Sequence, residues 1–263
     1  MSYDLTLLGG GNMGAALLGG LLAAGRDPAG LAVVEVLAAR RDELAAQFPG
    51  VAVLAEVGAT DGVVVAVKPH DVPAAVHAAV AAGARRVLSI AAGVSLATLE
   101  AAAGGGVAVI RSMPNTPALI REGAAGLAAG AAATDDDVVW AEEILGAVGV
   151  VVRVPEHQLD AVTGLAGSGP AYVFLVAEAL IEAGVLAGLP RPAATALATQ
   201  LLVGSSALLA ERGDPAALRA MVTSPGGTTA AGLRVLEQRG VRAAVLDAVM
   251  AATERSRELG AAH

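Results

Sequence analysis

The chain has no cysteine, and its aromatic residues amount to only 2 % of the whole, one Trp, two Tyr and two Phe. Without thiols there is no disulfide framework, no thiolate metal site and no cysteine nucleophile. With so few rings, the core must be filled by Ala, Val and Leu, which each bury little area. Close helix packing and a subunit interface are therefore expected to make up the deficit. Lysine is nearly missing as well: of 17 basic residues all but Lys68 are Arg, and Asn occurs only at Asn12 and Asn115. Such a bias looks like a general drift toward Arg and Ala, and it marks the scarce residues as positions to follow.

Positive charge is in deficit, 17 basic against 25 acidic residues for a net charge of −8, which argues against nucleic acid or an anionic membrane as partner. No basic segment followed by an apolar run and a cleavage site opens the chain, so a cytoplasmic location is expected. The most apolar window, Ala171 to Leu189, carries Glu178 and Glu182 one helical turn apart. Two carboxylates at mid-membrane are costly, so the window is read as a buried helix of a soluble protein, with no membrane partner.

What the sequence does have is apolar segments of two kinds. Tyr3–Leu8, Leu31–Val36, Gly62–Val67, Arg86–Ile90, Val107–Ile110, Gly123–Ala128 and Val150–Val154 read as strands. Between them, Asn12 to about Ala24, Arg40–Gln47, Leu96–Ala102 and Asp135–Ala147 read as helices. Strands that are apolar throughout and alternate with helices predict an α/β Rossmann domain, a doubly wound and mostly parallel sheet covered on both faces. From Gln158 onward nearly everything reads as helix, with breaks near Gly167–Pro170, Gly188–Pro192, Gly213–Pro215, Ser224–Gly227 and Gly240. The expected organisation is a dinucleotide-binding domain over 1–157 and an all-α domain over 158–263.

Gly9-Gly10-Gly11-Asn12-Met13-Gly14 fits G-x-G-x-x-G, with a strand before it and a helix after it. The first Gly makes the turn, the second lets a diphosphate approach the backbone, and the third lets helix and strand pack closely. Free N–H groups and the helix dipole then stabilise the anion. Glu35 ends the second strand 21 positions beyond Gly14. A carboxylate there accepts from the adenosine ribose hydroxyls and repels a 2′-phosphate, which favours NAD. Arg40 and Arg41 could reach round to a 2′-phosphate, or be solvated charges on the second helix, so NADH and NADPH both stay open.

Lys68 follows a strand at the edge where such folds bind ligands, and is assigned to the nicotinamide side of the cofactor. The turn Ser224-Pro225-Gly226-Gly227-Thr228-Thr229 precedes a helix whose free N–H groups suit a substrate carboxylate, with the Thr229 hydroxyl placed to bond a ring nitrogen. The competing reading has these hydroxyls merely capping the helix. Asn115, between Pro114 and Pro117, fits a rigid turn as well as a site residue. His70, His77 and His157 have no metal-ligand spacing, and no metal is expected.

Together with Val65-Ala66-Val67-Lys68-Pro69, Ser89-Ile90-Ala91-Ala92-Gly93, Arg111-Ser112-Met113-Pro114-Asn115-Thr116-Pro117 and Gly167-Ser168-Gly169-Pro170-Ala171-Tyr172, that turn resembles pyrroline-5-carboxylate reductase, collinearly over nearly the whole chain. The resemblance implies reduction of a small imino acid, 1-pyrroline-5-carboxylate, to proline by NADPH or NADH. It also implies C-terminal helices that intertwine in a homodimer completing the active site, and dimers that gather into a decamer. Cofactor contacts carried over are Leu8, Gly9, Gly10, Gly11, Asn12 and Met13, then Ala66, Val67, Lys68 and Pro69, then Ala91, Ala92 and Gly93. Substrate contacts carried over are Glu156, Ser224, Gly227, Thr228 and Thr229, the last as the catalytic group. Two departures stand out. Glu35-Val36 replaces a Ser or Asn-Arg pair that meets the 2′-phosphate in many members, and the stretch between Val51 and Asp61 is shortened, leaving a cofactor-touching Asn without an equivalent.

Rivals remain. A β-hydroxyacid dehydrogenase needs a catalytic lysine in its second domain, and none follows Lys68. A reductase of another small cyclic imine shares all these features, and a non-enzymatic dinucleotide sensor has no use for the Ser224–Thr229 turn.

Overall fold

A computed structural model describes residues 2–261. Eight strands form one sheet: β1 (Tyr3–Leu8), β2 (Leu31–Val34), β3 (Ala52–Leu54), β4 (Thr60–Val65), β5 (Arg86–Ser89), β6 (Ala108–Met113), β7 (Gly123–Ala129) and β8 (Gly149–Arg153). Their order is β3-β2-β1-β4-β5-β6-β7-β8. Five helices alternate with them, α1 (Asn12–Ala23), α2 (Ala38–Gln47), α3 (Val72–Ala81), α4 (Leu96–Ala103) and α5 (Asp135–Gly146).

Alternating side chains on each strand feed two separate cores. Leu5, Leu7, Val64, Leu88 and Ile110 join one with Leu17 and Leu21 of α1 and Ile144 of α5. Leu8, Val63, Val65, Val87 and Val109 join the other with Val76 of α3 and Leu99 of α4. Both faces are apolar because both are covered, which is what the uninterrupted apolar strands required.

The sheet is parallel except between β6 and β7, where Met113 pairs with Gly126 in antiparallel register. The mostly parallel sheet expected is thus present, and this one pair is antiparallel because only the loop from Pro114 to Glu122 joins the two strands, whereas a parallel crossover needs a dozen or more residues. β3 and α3 are elements that the sequence patterns did not mark. β3 is three residues long and half-buried, and α3 is so rich in Ala that its Val72, Val76 and Ala79 stripe has little contrast.

The helical remainder begins with α6 (Leu159–Val162), which widens into a π-type turn at Thr163–Gly167, running up to the break expected near Gly167–Pro170. Then come α7 (Gly169–Leu186), α8 (Arg191–Arg212), α9 (Pro215–Met221), α10 (Thr228–Gln238) and α11 (Val241–Ala261). By packing, one compact unit runs to Ser168 and takes in the chain again from Met250, while Gly169–Val249 forms the other. In the first unit the end of α11 is tied down by the Ser256 hydroxyl donating to Asp160 at 2.7 Å.

In the second unit α7 and α8 pack as a hairpin, so close at Gly184 that an added Cβ would lie 3.0 Å from that of Ala194. Among its described residues only Ala194 and Ala198 are buried. The buried helix expected over Ala171 to Leu189 is therefore not buried in a single chain: Phe174 is 61 % and Leu186 91 % exposed. One helical hairpin with small residues at its seam has no layer to cover its outer faces.

Candidate active site

The parallel register brings the segments singled out in the sequence to one edge. Leu8 lies opposite both Val34 and Val65, Val65 opposite Ser89, and Ser89 opposite Arg111. The glycine loop, Glu35, Ala66–Pro69 and Ala91–Gly93 leave the sheet just past that row, and Pro114 and Asn115 leave it two residues later, after Met113. This is the carboxyl edge, where open α/β sheets bind ligands.

Each glycine of the loop has a separate reason. Gly9 has φ +107°, and a Cβ on it would lie 2.7 Å from the Ala66 carbonyl oxygen. A Cβ on Gly14 would collide with the Gly9 carbonyl oxygen. At Gly11, by contrast, nothing lies within 4 Å, so open space stands over the middle of the loop. Gly11 is also the N-cap of α1, and no side chain caps that helix. Unpaired N–H groups facing open space at a helix start fit a diphosphate. Asn12 is exposed there, and Met13 is half-buried against the first core.

Glu35 is half-buried beside the loop, its Oε2 accepting from the Gly10 N–H at 3.1 Å and its Oε1 from the Leu37 N–H at 3.0 Å. Arg40 and Arg41 are not simply solvated. Arg40 Nε donates to the Gly10 carbonyl at 2.9 Å, and Arg41 Nη1 donates to the carbonyls of Glu35 and Val36 at 2.8 and 2.9 Å. Lys68 stands exposed past β4, at the N-cap of a short 3₁₀ turn that begins with Pro69. Ala91 is buried, Ala92 exposed, and Gly93 turns the chain at φ +77° toward α4.

Glu156 lies in the same unit. Its Oε1 accepts from the Leu96 N–H at the start of α4 at 2.6 Å and from Arg111 Nη1 at 2.8 Å. Asn115 turns out to be a structural pin: Nδ2 donates to the Ala166 carbonyl and Oδ1 accepts from the Ala124 N–H. Nothing in the sequence pairs Arg111 with Glu156, 45 positions away; the only hint was that both fall in or near family motifs.

Ser224, Gly227, Thr228 and Thr229 belong to the second unit. Gly226, at φ +69°, makes the turn, which the Gly227 N–H closes by donating to the Ser224 carbonyl at 3.1 Å. α10 then starts with Gly227 as N-cap and no side chain capping it. The helix-cap alternative for these hydroxyls therefore fails, and the helix start keeps its donors free. Among the described residues no cluster of His, Cys, Asp or Glu could hold a metal.

A family model for pyrroline-5-carboxylate reductase dimerisation matches residues 156–259, and one for NADP oxidoreductases, coenzyme F420-dependent, matches 4–93. The chain is 45 % identical to the pyrroline-5-carboxylate reductase of Mycobacterium leprae, over 97 % of this chain and 96 % of that one. The chain belongs to the pyrroline-5-carboxylate reductase family. A solved reductase of the family from Coxiella burnetii superposes with a TM-score of 0.92 at 36 % identity, over 98 % of both chains. Another, from Plasmodium falciparum, solved with NADP bound, gives 0.83 at 28 % identity, again over 98 % of both. In family terms the sheet domain is Rossmann-like and the helices form the dimerisation domain.

Proposed function

We propose that this chain carries out its family's reaction, the NAD(P)H-dependent reduction of 1-pyrroline-5-carboxylate to proline in proline biosynthesis. The observation that carries this reading is family membership over nearly the whole chain, joined to an open, uncapped glycine loop in one unit and an uncapped Gly-Gly-Thr-Thr helix start in the other.

A cyclic imine protonates readily, and its iminium is already an electrophile, so no strong acid is required. When bound, the reduced nicotinamide supplies the hydride that adds to the C=N carbon. The chain's own task is positioning, which in favourable cases is worth on the order of 7–11 kcal/mol. Gly9–Gly14 hold the diphosphate, Glu35 the adenosine ribose, and Leu8, Ala66–Pro69 and Ala91–Gly93 line the path toward the nicotinamide. Lys68 belongs to that end.

The free N–H groups at Gly227–Thr229, with Ser224, take the substrate carboxylate, and the Thr229 hydroxyl bonds the ring nitrogen and helps it keep its proton. Glu156, whose Oε1 already has two donors, we assign to holding the sheet edge together. The helical stretch Glu156–Leu186, which includes α7, and α8 are long and apolar enough to cross a membrane by length and composition alone. We assign them to the dimer, in the cytoplasm, with dimers gathering into a decamer.

The test is reduced-nicotinamide oxidation with pyrroline-5-carboxylate as substrate, first with NADH and then with NADPH. Wild type is expected to turn over, and Thr229→Ala to lose roughly 10²-fold in kcat with cofactor affinity kept. Unchanged steady-state kinetics in the variant overturn the role of Thr229, and no oxidation with either cofactor overturns the activity.

A further inference from the structure

The corner between β2 and α2 holds two arginines and one carboxylate where the adenosine ribose is read to lie. We propose that this corner makes the enzyme select NADH over NADPH, with Glu35 repelling a 2′-phosphate, and with Arg40 bracing the glycine loop and Arg41 the β2–α2 connection instead of acting as phosphate receptors. The proposal rests on the reading that the glycine loop binds the dinucleotide.

Donors of both arginines and the Gly10 and Leu37 N–H groups already have oxygen partners at the corner. The Gly10 and Leu37 N–H groups donate to the two oxygens of Glu35, which fixes that carboxylate in place. Arg40 places Nε on the Gly10 carbonyl and Nη1 on Glu43 at 2.6 Å. Gly10 is thus held through both flanking peptide groups, its N–H by Glu35 and its carbonyl by Arg40. Arg41 Nη1 is shared between the carbonyls of Glu35 and Val36, so it fastens the end of β2 to α2.

The two side chains that follow Glu35 offer nothing to a phosphate: Val36, 79 % exposed, and Leu37 have no side-chain donor. Replacing a ribose hydroxyl with a phosphate brings a charge of about −1.5 to −2 against a carboxylate held by two N–H bonds. Turning Arg40 to meet it means giving up the bond to the Gly10 carbonyl of the glycine loop, and turning Arg41 means giving up its bonds to the Glu35 and Val36 carbonyls. The free energies therefore run the same way at all three residues. An exposed pair of arginines, by contrast, binds a phosphate through its bidentate forks.

The experiment is calorimetric titration of the full-length protein with ADP-ribose and with 2′-phospho-ADP-ribose, fragments that need no substrate and no turnover. Wild type is expected to bind ADP-ribose about ten-fold tighter or more. Glu35→Gln should bring the two affinities within about three-fold, because the charge is gone while an acceptor stays. Arg40→Met should weaken both fragments by the same factor, the mark of a brace. The proposal is overturned if wild type binds the phosphorylated fragment as tightly, if Glu35→Gln leaves the ratio unchanged, or if Arg40→Met or Arg41→Met weakens that fragment alone. If neither fragment binds wild type, the dinucleotide reading falls with it; if both bind with the ratio reversed, only the selectivity does. The wild-type ratio decides even where a variant fails to fold.

Discussion

Arg111 and Glu156 show what a single pair of side chains does for the whole site edge. Arg111 is 13 % and Glu156 34 % exposed at the side chain, so the pair is largely withdrawn from water. Through it, β6, the start of α4 and the segment leading into the helices share one carboxylate oxygen. Cutting it leaves Glu156 half-buried without its cation. Arg111→Met is expected to lower unfolding free energy by about 2–3 kcal/mol, less than for a fully buried pair because Glu156 keeps some water. Urea unfolding monitored by circular dichroism checks this, and a change below 0.5 kcal/mol, roughly the level of an ordinary surface substitution, contradicts it. The same contrast between visible and invisible chemistry runs through other residues. The roles of Gly9 and Gly14 could be read from spacing, because backbone constraints are local. The role of Asn115 could not, since its two partners, Ala124 and Ala166, come from elsewhere in the chain.

Among the elements, α5 matches the helix read over Asp135–Ala147, and its first turn holds a further feature. Thr134 and Asp137 form a capping box, in which Thr134 N–H and hydroxyl both donate to Asp137 Oδ2, at 2.8 and 2.6 Å. The sequence pattern does not reveal that Arg86 of β5 reaches the same carboxylate at 2.8 Å while lying 5.9 Å over the Trp140 ring. Burial alone pushes the Asp137 carboxyl up, but the Thr134 bonds and the Arg86 guanidinium outweigh it and hold the group below its ordinary value. A depressed folded-state pKa means stability that is fully present above the ordinary carboxylate value and lost as pH falls from there through the lower folded-state value. Asp137→Asn should therefore cost about 1–2 kcal/mol near neutrality, and the gap to wild type should narrow as pH falls below about 4. Denaturant unfolding across pH 3 to 7 measures this, and a gap that persists in acid contradicts the account. The β6–β7 reversal and the missed α3 belong to this scale too. In one case loop length decided against the general pattern, and in the other alanine hid the periodicity.

At the level of the whole molecule, the second unit buries almost nothing by itself and presents Phe174, Leu197, Leu201, Val245 and Leu246 outward. A domain in this state needs a second copy, as the dimerisation family model for 156–259 indicates. Light scattering at micromolar concentration should give a dimer or a multiple of it. Phe174→Asp should shift the population to monomer and abolish turnover while ADP-ribose still binds the Rossmann unit. A wild-type monomer, or full activity in the monomeric variant, contradicts a site completed by the partner.

By itself the sequence determined the class of sheet, the glycine loop, the switch to helices near 158 and the reaction family. Those follow from periodicity, local backbone constraints and collinear motifs, which act over short stretches of chain. Tertiary structure alone decided that Glu35 and two arginines close one corner around Gly10, that Glu156 belongs with Arg111, and that the Gly-Gly-Thr-Thr helix start is uncapped. Each of those depends on which distant atoms arrive within hydrogen-bond reach, and no local pattern encodes that. The shortage of large side chains noted at the outset likewise gained its meaning in space. Ala, Val and Leu suffice for a sheet covered on both faces, but they leave a helical hairpin with its apolar sides open.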